Sequence, residues 1–240
     1  MNMQAPIYLA LDFPTGEEAL QFLARHELAG VPVKVGMELF YREGVSIIHQ
    51  LKENDHPIFL DLKLHDIPNT VKSAMCNLAV LGADIVNVHA LGGLKMIEAA
   101  KEGLSQGASS KIPKLIAVTM LTSMDEHTVQ SDLKQPMELA AYALHLAELS
   151  QKAGADGVVC SPHEAASIKA ACGADFLTVT PGIRLAGSAK NDQHRIATPA
   201  DARKMQADYL VIGRSVTAAA DPKQAYERVI EEWKNYDNYN

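Results

Sequence analysis

Short β-branched or apolar runs alternate with longer stretches of helical periodicity along this 240-residue chain. That is the pattern of repeated βα units around a parallel sheet. Eight runs read as strands: Ile7 to Asp12, Val31 to Gly36, Pro57 to Lys63, Asp84 to His89, Lys114 to Leu121, Gly157 to Ser161, Phe176 to Pro181 and Tyr209 to Gly213. Between them the spacing predicts helices over Glu17 to Glu27, Met37 to Glu53, Val71 to Leu81, Lys95 to Gly103, Met137 to Ala153, His163 to Ala171, Pro199 to Met205 and Pro222 to Lys234. Gly82, Gly107, Gly154 and Gly173 follow helical segments, as helix stops do.

Eight such units fit a single-domain (β/α)8 barrel of the α/β class over residues 1–240, with the polar Tyr236 to Asn240 tail frayed. No Pro/Gly/Ser-rich linker divides the chain. An open doubly wound sheet is the alternative, but its dinucleotide form wants G-x-G-x-x-G directly after the first strand. Phe13-Pro14-Thr15-Gly16 stands there instead.

Composition narrows the class. With 48% hydrophobic and 21% charged residues the chain can bury a core, which excludes a disordered protein. Its 22 Lys and Arg against 29 Asp and Glu give a net charge of -7, which argues against a nucleic-acid surface. An anionic ligand must therefore meet a local group of cations. Cys76, Cys160 and Cys172 are odd in number and lack C-x-x-C spacing, so a disulfide framework or structural zinc site is not expected, and a reducing cytoplasm fits. No apolar run approaches the roughly 18 residues of a membrane span, and Met1 to Pro6 lacks the basic start of a signal peptide.

In a barrel of this kind chemistry collects at the C-terminal ends of the strands. There the third unit carries Asp61-Leu62-Lys63-Leu64-His65-Asp66-Ile67-Pro68. Strand alternation puts Asp61 and Lys63 on one inward face and Leu60, Leu62 and Leu64 on the other. Asp66 falls past the strand end, before a proline placed to open the next helix. A structural ion pair and a helix-terminal acid would account for each residue singly. Two carboxylates flanking a lysine at a barrel mouth point to function, because buried charges are costly unless paired. Carboxylate neighbours favour the ammonium form, which suits proton donation rather than Schiff-base chemistry.

A second constellation follows the last two strands, where barrels commonly bind phosphate. The seventh ends Thr180-Pro181-Gly182-Ile183-Arg184 and the eighth Val211-Ile212-Gly213-Arg214-Ser215, each pairing a glycine with an arginine fork. Leu185 to Thr198 between them reads as a lid or a surface excursion, with Gln193 a polar contact. Asp12, Lys34, His89, Thr122 and Ser123 also stand at strand ends. Asp12 and Lys34 read either as a salt bridge or as a pair holding sugar hydroxyls, and His89 either as a satisfied barrel histidine or as a ligand. Met37, Met75, Met96 and Met120 read as packing. No metal-ligand constellation emerges.

On these residues the sequence resembles the orotidine 5'-monophosphate decarboxylase family in its bacterial form, over essentially the whole chain. The most specific segments are Asp61 to Thr70, Thr180 to Arg184, Asn191-Asp192-Gln193 and Val211 to Ser215. The resemblance implies a carboxy-lyase that converts orotidine 5'-monophosphate to uridine 5'-monophosphate, the last step of pyrimidine nucleotide synthesis, without metal or organic cofactor. It implies that Lys63 protonates C6 within a charged network with Asp61 and Asp66. Asp12 and Lys34 would hold the ribose, Thr122 the pyrimidine, and Gln193, Gly213 and Arg214 the phosphate. Arg184 would lie on a closing loop and Pro181 near the reacting carboxylate. Asp66 and Thr70 would enter the other subunit's site in a homodimer. A related barrel, 3-keto-L-gulonate 6-phosphate decarboxylase, shares Asp-x-Lys-x-x-Asp but requires magnesium; Ile67-Pro68-Asn69-Thr70 and the Gln193 loop favour the nucleotide enzyme. A non-catalytic phosphate-ligand sensor would have no need of Lys63 between carboxylates.

Overall fold

A computed structural model describes residues 6–185 and 196–236. Eight strands, β1 (Ile7–Ala10), β2 (Val33–Gly36), β3 (Ile58–Leu64), β4 (Ile85–His89), β5 (Lys114–Val118), β6 (Gly157–Val159), β7 (Leu177–Thr180) and β8 (Tyr209–Ile212), close into an all-parallel barrel in chain order. Closure is made by β1 on β8, with Ile7 opposite Leu210 and Leu9 opposite Ile212. The helices are α1 (Gly16–Arg25), α2 (Met37–Glu43), α3 (Val45–Glu53), α4 (Pro68–Val80), α5 (Gly93–Gly107), α6 (Leu139–Lys152), α7 (Pro162–Cys172), α8 (Pro199–Lys204), α9 (Arg214–Thr217) and α10 (Pro222–Lys234). The fold is the (β/α)8 barrel expected from the alternation.

Strand parity sorts the core into two layers. Outward residues such as Ile7, Leu9, Val33, Val35, Ile58 and Leu60 are fully buried against the helices. Each contributes about 1.5–3 kcal/mol of burial. Inward residues Tyr8, Ala10, Phe59, Ile85, Ile116, Val179 and Val211 fill the barrel itself, with Tyr8 edge-on to Phe59 at 6.0 Å. The next inward positions along β1 and β3 are Asp12 and Asp61. The apolar plug thus ends where the charged residues begin, at the C-terminal mouth.

Four local features depart from the sequence pattern. The helix expected over Met37 to Glu53 is two helices, divided at Gly44 with φ 63 and ψ -145, a conformation that side chains rarely adopt. Met37, read as packing, is 43% exposed, whereas Met75, Met96 and Met120 are buried. The fifth strand ends at Val118 rather than Leu121, and α9 begins directly after β8, where no helix was expected. Pro68 opens α4, and Ser161 and Glu164 form a capping box on α7. The three cysteines are free. No helix among the described residues is long and apolar enough to cross a membrane.

Candidate active site

The ends of β1, β2, β3, β5, β7 and β8 open onto one cavity of about 590 Å³, within the size range of small-molecule sites. Asp12, Lys34, Asp61, Lys63, Thr122, Pro181, Arg184, Gly213 and Arg214 all line it. So does Glu38, at the start of α2, which sequence reasoning missed. Among the described residues, four cationic side chains (Lys34, Lys63, Arg184, Arg214) face three carboxylates (Asp12, Glu38, Asp61) in this lining. The local excess of positive charge on an acidic protein is the arrangement an anionic ligand requires.

The centre of the charged group is Asp61. Lys63 Nζ donates to its Oδ1 at 2.6 Å, and Asn87 Nδ2 donates to the same oxygen at 2.6 Å. Lys34 Nζ lies 3.5 Å from Oδ2 and 3.2 Å from Asp12 Oδ1. Burial by itself would raise the Asp61 carboxyl, but the charges of Lys34 and Lys63 and the hydrogen bonds from Lys63 and Asn87 outweigh it. Asp61 is therefore held ionised below the usual carboxylate range. Asp12 and Lys34 form the salt bridge of one reading and line the cavity as the other requires.

Lys63 reaches this cavity by a route that alternation does not describe. Leu60 pairs with Val86 and Leu64 with Val88, so β3 carries two more residues than β4 between those pairs. Within this bulge Lys63 has φ 51, a left-handed conformation that costs a residue with a Cβ roughly 1–2 kcal/mol. Bulges re-aim side chains, and here the result is the 2.6 Å contact with Asp61. The Lys63 N–H, displaced from the ladder, donates to Asn87 Oδ1 at 2.7 Å. Asn87 also escaped sequence reasoning; its only signal was a lone amide inside the apolar run Ile85-Val86-Asn87-Val88.

Asp66 is not where two flanking carboxylates would put it. Within the chain it is exposed, accepts a hydrogen bond from the Ile67 N–H at 2.7 Å, and does not line the cavity. The β3 strand ends before it, and the turn into α4 carries Asp66 and Thr70 away from Lys63. Both residues, and Ile67 at 67% exposure, stand on the outer surface. His89 is half-buried and stacked on His65 at 5.6 Å, outside the cavity lining. Burial, then the charges of His65 and Lys63, push its imidazole below the ordinary value.

At the β7 and β8 ends, Gly182 has φ 79, a backbone that favours glycine, and Arg184 is buried with Nη1 donating to Ile183 O. Arg184 N donates to Ala197 O and Ala197 N to Gly182 O, joining the two ends of the intervening segment. Gln193 and residues 186–195 of that segment, read above as a lid or a surface excursion, lie outside the described residues, as do residues 237–240 of the tail. Gly213 is the N-cap of α9, and Arg214 is its first residue. In an eight-stranded barrel β7 lies diametrically across from β3. Pro181 and Arg184, after β7, thus stand across the cavity from the Asp61–Lys63 pair, whereas Gly213 and Arg214, after β8, stand beside the β1 end that carries Asp12. Among the described residues, no group of three or more His, Cys, Asp or Glu side chains is placed to hold a metal ion.

Residues 5–229 match the model of the orotidine 5'-phosphate decarboxylase / HUMPS family. The chain belongs to this family. It is 55% identical over 235 residues to the orotidine 5'-phosphate decarboxylase of Bacillus caldolyticus, covering 96% of each chain. To that of Listeria monocytogenes serotype 4b it is 56% identical over 232 residues, covering 96% of this chain and 99% of the relative. Among solved structures, the orotidine 5'-phosphate decarboxylase of Lactobacillus acidophilus superposes with a TM-score of 0.86 at 42% identity, over 95% of this chain and 99% of that one. The Pyrococcus horikoshii enzyme of the same name superposes with a TM-score of 0.73 at 27% identity, over 95% and 99% of the two chains. The resemblance runs over nearly the whole length of each chain.

Proposed function

We propose that this protein decarboxylates orotidine 5'-monophosphate to uridine 5'-monophosphate, with Lys63 supplying the proton that replaces carbon dioxide at C6. The observation that carries the reading is that the Asp61–Lys63 pair on β3 and Gly213 and Arg214 after β8 line one cavity, with Asp12 and Lys34 at the ends of the strands between them. A nucleotide whose phosphate meets the β7–β8 wall presents its base to the β3 wall. Thr122, after β5, and Pro181, at the end of β7, share the lining and would meet the base, and Asp12 and Lys34, at the ends of β1 and β2 between β8 and β3, would meet the ribose.

In the proposed step the bond between C6 and the carboxylate breaks and its electron pair stays on C6. The Lys63 ammonium gives a proton to C6, carbon dioxide leaves, and the neutral amine recovers a proton from solvent. Carbanion-like charge at C6 needs electrostatic stabilisation fixed in advance of the reaction. Lys63, held by a 2.6 Å hydrogen bond to ionised Asp61, would provide it. The reading involves no metal or organic cofactor. It is supported by the engagement of both Asp61 oxygens, one by Lys63 and Asn87 and the other facing Lys34, which leaves that carboxylate poorly suited to coordinate magnesium as in the sugar-phosphate relatives. Homodimerisation is part of the proposal. The exposed Asp66, Ile67 and Thr70 at the start of α4 suit insertion beside a second subunit's cavity.

Turnover in deuterium oxide tests the reaction. The account expects uridine 5'-monophosphate carrying one deuterium at C6, and no adduct trapped by borohydride. Absence of product, or a borohydride-trapped adduct on Lys63, would overturn it.

A further inference from the structure

Asn87 is 1% exposed and lies on β4 opposite the bulge of β3. Its carboxamide bonds two groups among the described residues: Nδ2 donates to Asp61 Oδ1 and Oδ1 accepts from the Lys63 backbone N–H, at 2.6 and 2.7 Å. A buried amide could satisfy the bulge with its oxygen alone. Here the other half of the same side chain is bonded to the carboxylate that Lys63 itself grips. The three groups form a closed ring: Asn87 to Asp61, Asp61 to the Lys63 ammonium, and Lys63 through its backbone to Asn87. Lys63 carries the left-handed backbone that the ring must hold in place.

Resting on the reading of Lys63 as proton donor, we propose that Asn87 is a positioning residue that fixes the Lys63 ammonium and the Asp61 carboxylate as one rigid unit. It contributes no atom to the cavity lining. Its effect is on where Lys63 stands when the proton is transferred, and small misplacements of a reacting group are costly in rate.

Two substitutions test this. Asn87→Leu keeps roughly the volume and removes both hydrogen bonds. It is expected to lower kcat about 10- to 100-fold, with little change in KM because Lys34 and Arg214 are untouched. Asn87→Asp keeps an acceptor for the Lys63 N–H but replaces the amide donor with a carboxyl group against Asp61. Two adjoining carboxylates resist ionising together, so at low pH the new group is protonated and its O–H donates to Asp61 as the amide did. Once ionised it repels Asp61. The charged and titratable neighbours are Asp61 and Lys63 on β3, Lys34 on β2, and the stacked His65 and His89, all present in both proteins.

The kcat of Asn87→Asp relative to the unsubstituted protein is therefore expected to rise as pH falls, recovering most of the loss. A role confined to stability would lower the melting temperature of both variants and leave this ratio flat. A flat ratio, or Asn87→Leu at full kcat, overturns the positioning role. Should Asn87→Leu not fold, the pH ratio of Asn87→Asp decides alone. An unsubstituted protein that turns over no orotidine 5'-monophosphate overturns the functional reading itself, and Asn87's role with it.

Discussion

The Lys63 ammonium lies 2.6 Å from the Asp61 carboxylate across a bulge that shifts the register of β3 between Leu60 and Leu64. The contact depends on a left-handed Lys63, so the lysine cannot be moved or shortened without losing it. Replacing Lys63 with Ala should reduce kcat by about 10³-fold, the scale of a lost general acid. Lys63→Arg should not restore it, since a guanidinium cannot give up its proton at working pH. Steady-state kinetics on both variants, with a melting curve to establish folding, checks this; an active Lys63→Arg enzyme would argue that the position supplies charge alone.

Arg214 begins α9 directly after β8 and lines the cavity that Lys63 enters from β3. Binding energy from a remote phosphate helps to organise the reacting end. Arg214→Ala should therefore cut kcat/KM for orotidine 5'-monophosphate by about 10²-fold or more, the worth of a charge-assisted contact of some 3 kcal/mol. It should leave turnover of orotidine, which lacks the phosphate, nearly unchanged. Equal losses on both substrates would place Arg214 outside the phosphate site.

Asp66 stands outside its own chain's cavity, which suggests a distinctive complementation. Asp66→Ala and Lys63→Ala chains are each expected to be poorly active alone. When mixed and re-associated, half the dimers carry one chain of each kind. If Asp66 serves the neighbouring site, one of the two sites in each mixed dimer is complete, and about a quarter of full activity returns. A mixture no more active than its parents would mean that Asp66 acts within its own chain or not at all.

His56 is 2% exposed and its Nδ1–H donates to Val31 O at 2.7 Å. Burial, against smaller opposing effects of Val31 and Asp55, pushes its imidazole below the ordinary value. His89 is displaced the same way. The folded protein thus binds these protons less readily than the unfolded chain. The stability they contribute is fully present above about pH 6.5, the ordinary histidine value, and is lost as pH falls below it. The lowered Asp61 and Asp84 carboxyls contribute stability that is lost in a separate window, below about pH 4. Melting temperatures between pH 7 and 5 should decline, and His56→Gln should flatten part of that decline at the expense of stability at pH 7. A pH-independent melting temperature in the unsubstituted protein would contradict the burial argument.

Much of the barrel was legible because parallel strands covered on both faces read as apolar runs with regular punctuation. The rule that chemistry gathers at the C-terminal strand ends led directly to Asp12, Lys34 and Asp61 at the mouth. The break at Gly44 was hidden, because the periodicity from Met37 to Glu53 continues across it and only the backbone angle reveals it. Asp61 and Lys63 were placed together by an alternation that the strand does not follow; the bulge that joins them depends on Asn87, a tertiary partner 24 residues from Lys63. Sequence nearness suggested Asp66 as a second carboxylate flanking Lys63, whereas the resemblance assigned it to the other subunit's site; within the chain it stands outside the cavity lining.

The ultraviolet absorbance of orotidine 5'-monophosphate incubated with the purified protein in excess chelator tests the central claim most directly. The account predicts loss of the orotate band and formation of uridine 5'-monophosphate at a rate unaffected by the chelator. An unchanged spectrum, with turnover of a sugar phosphate once magnesium is supplied, would contradict it.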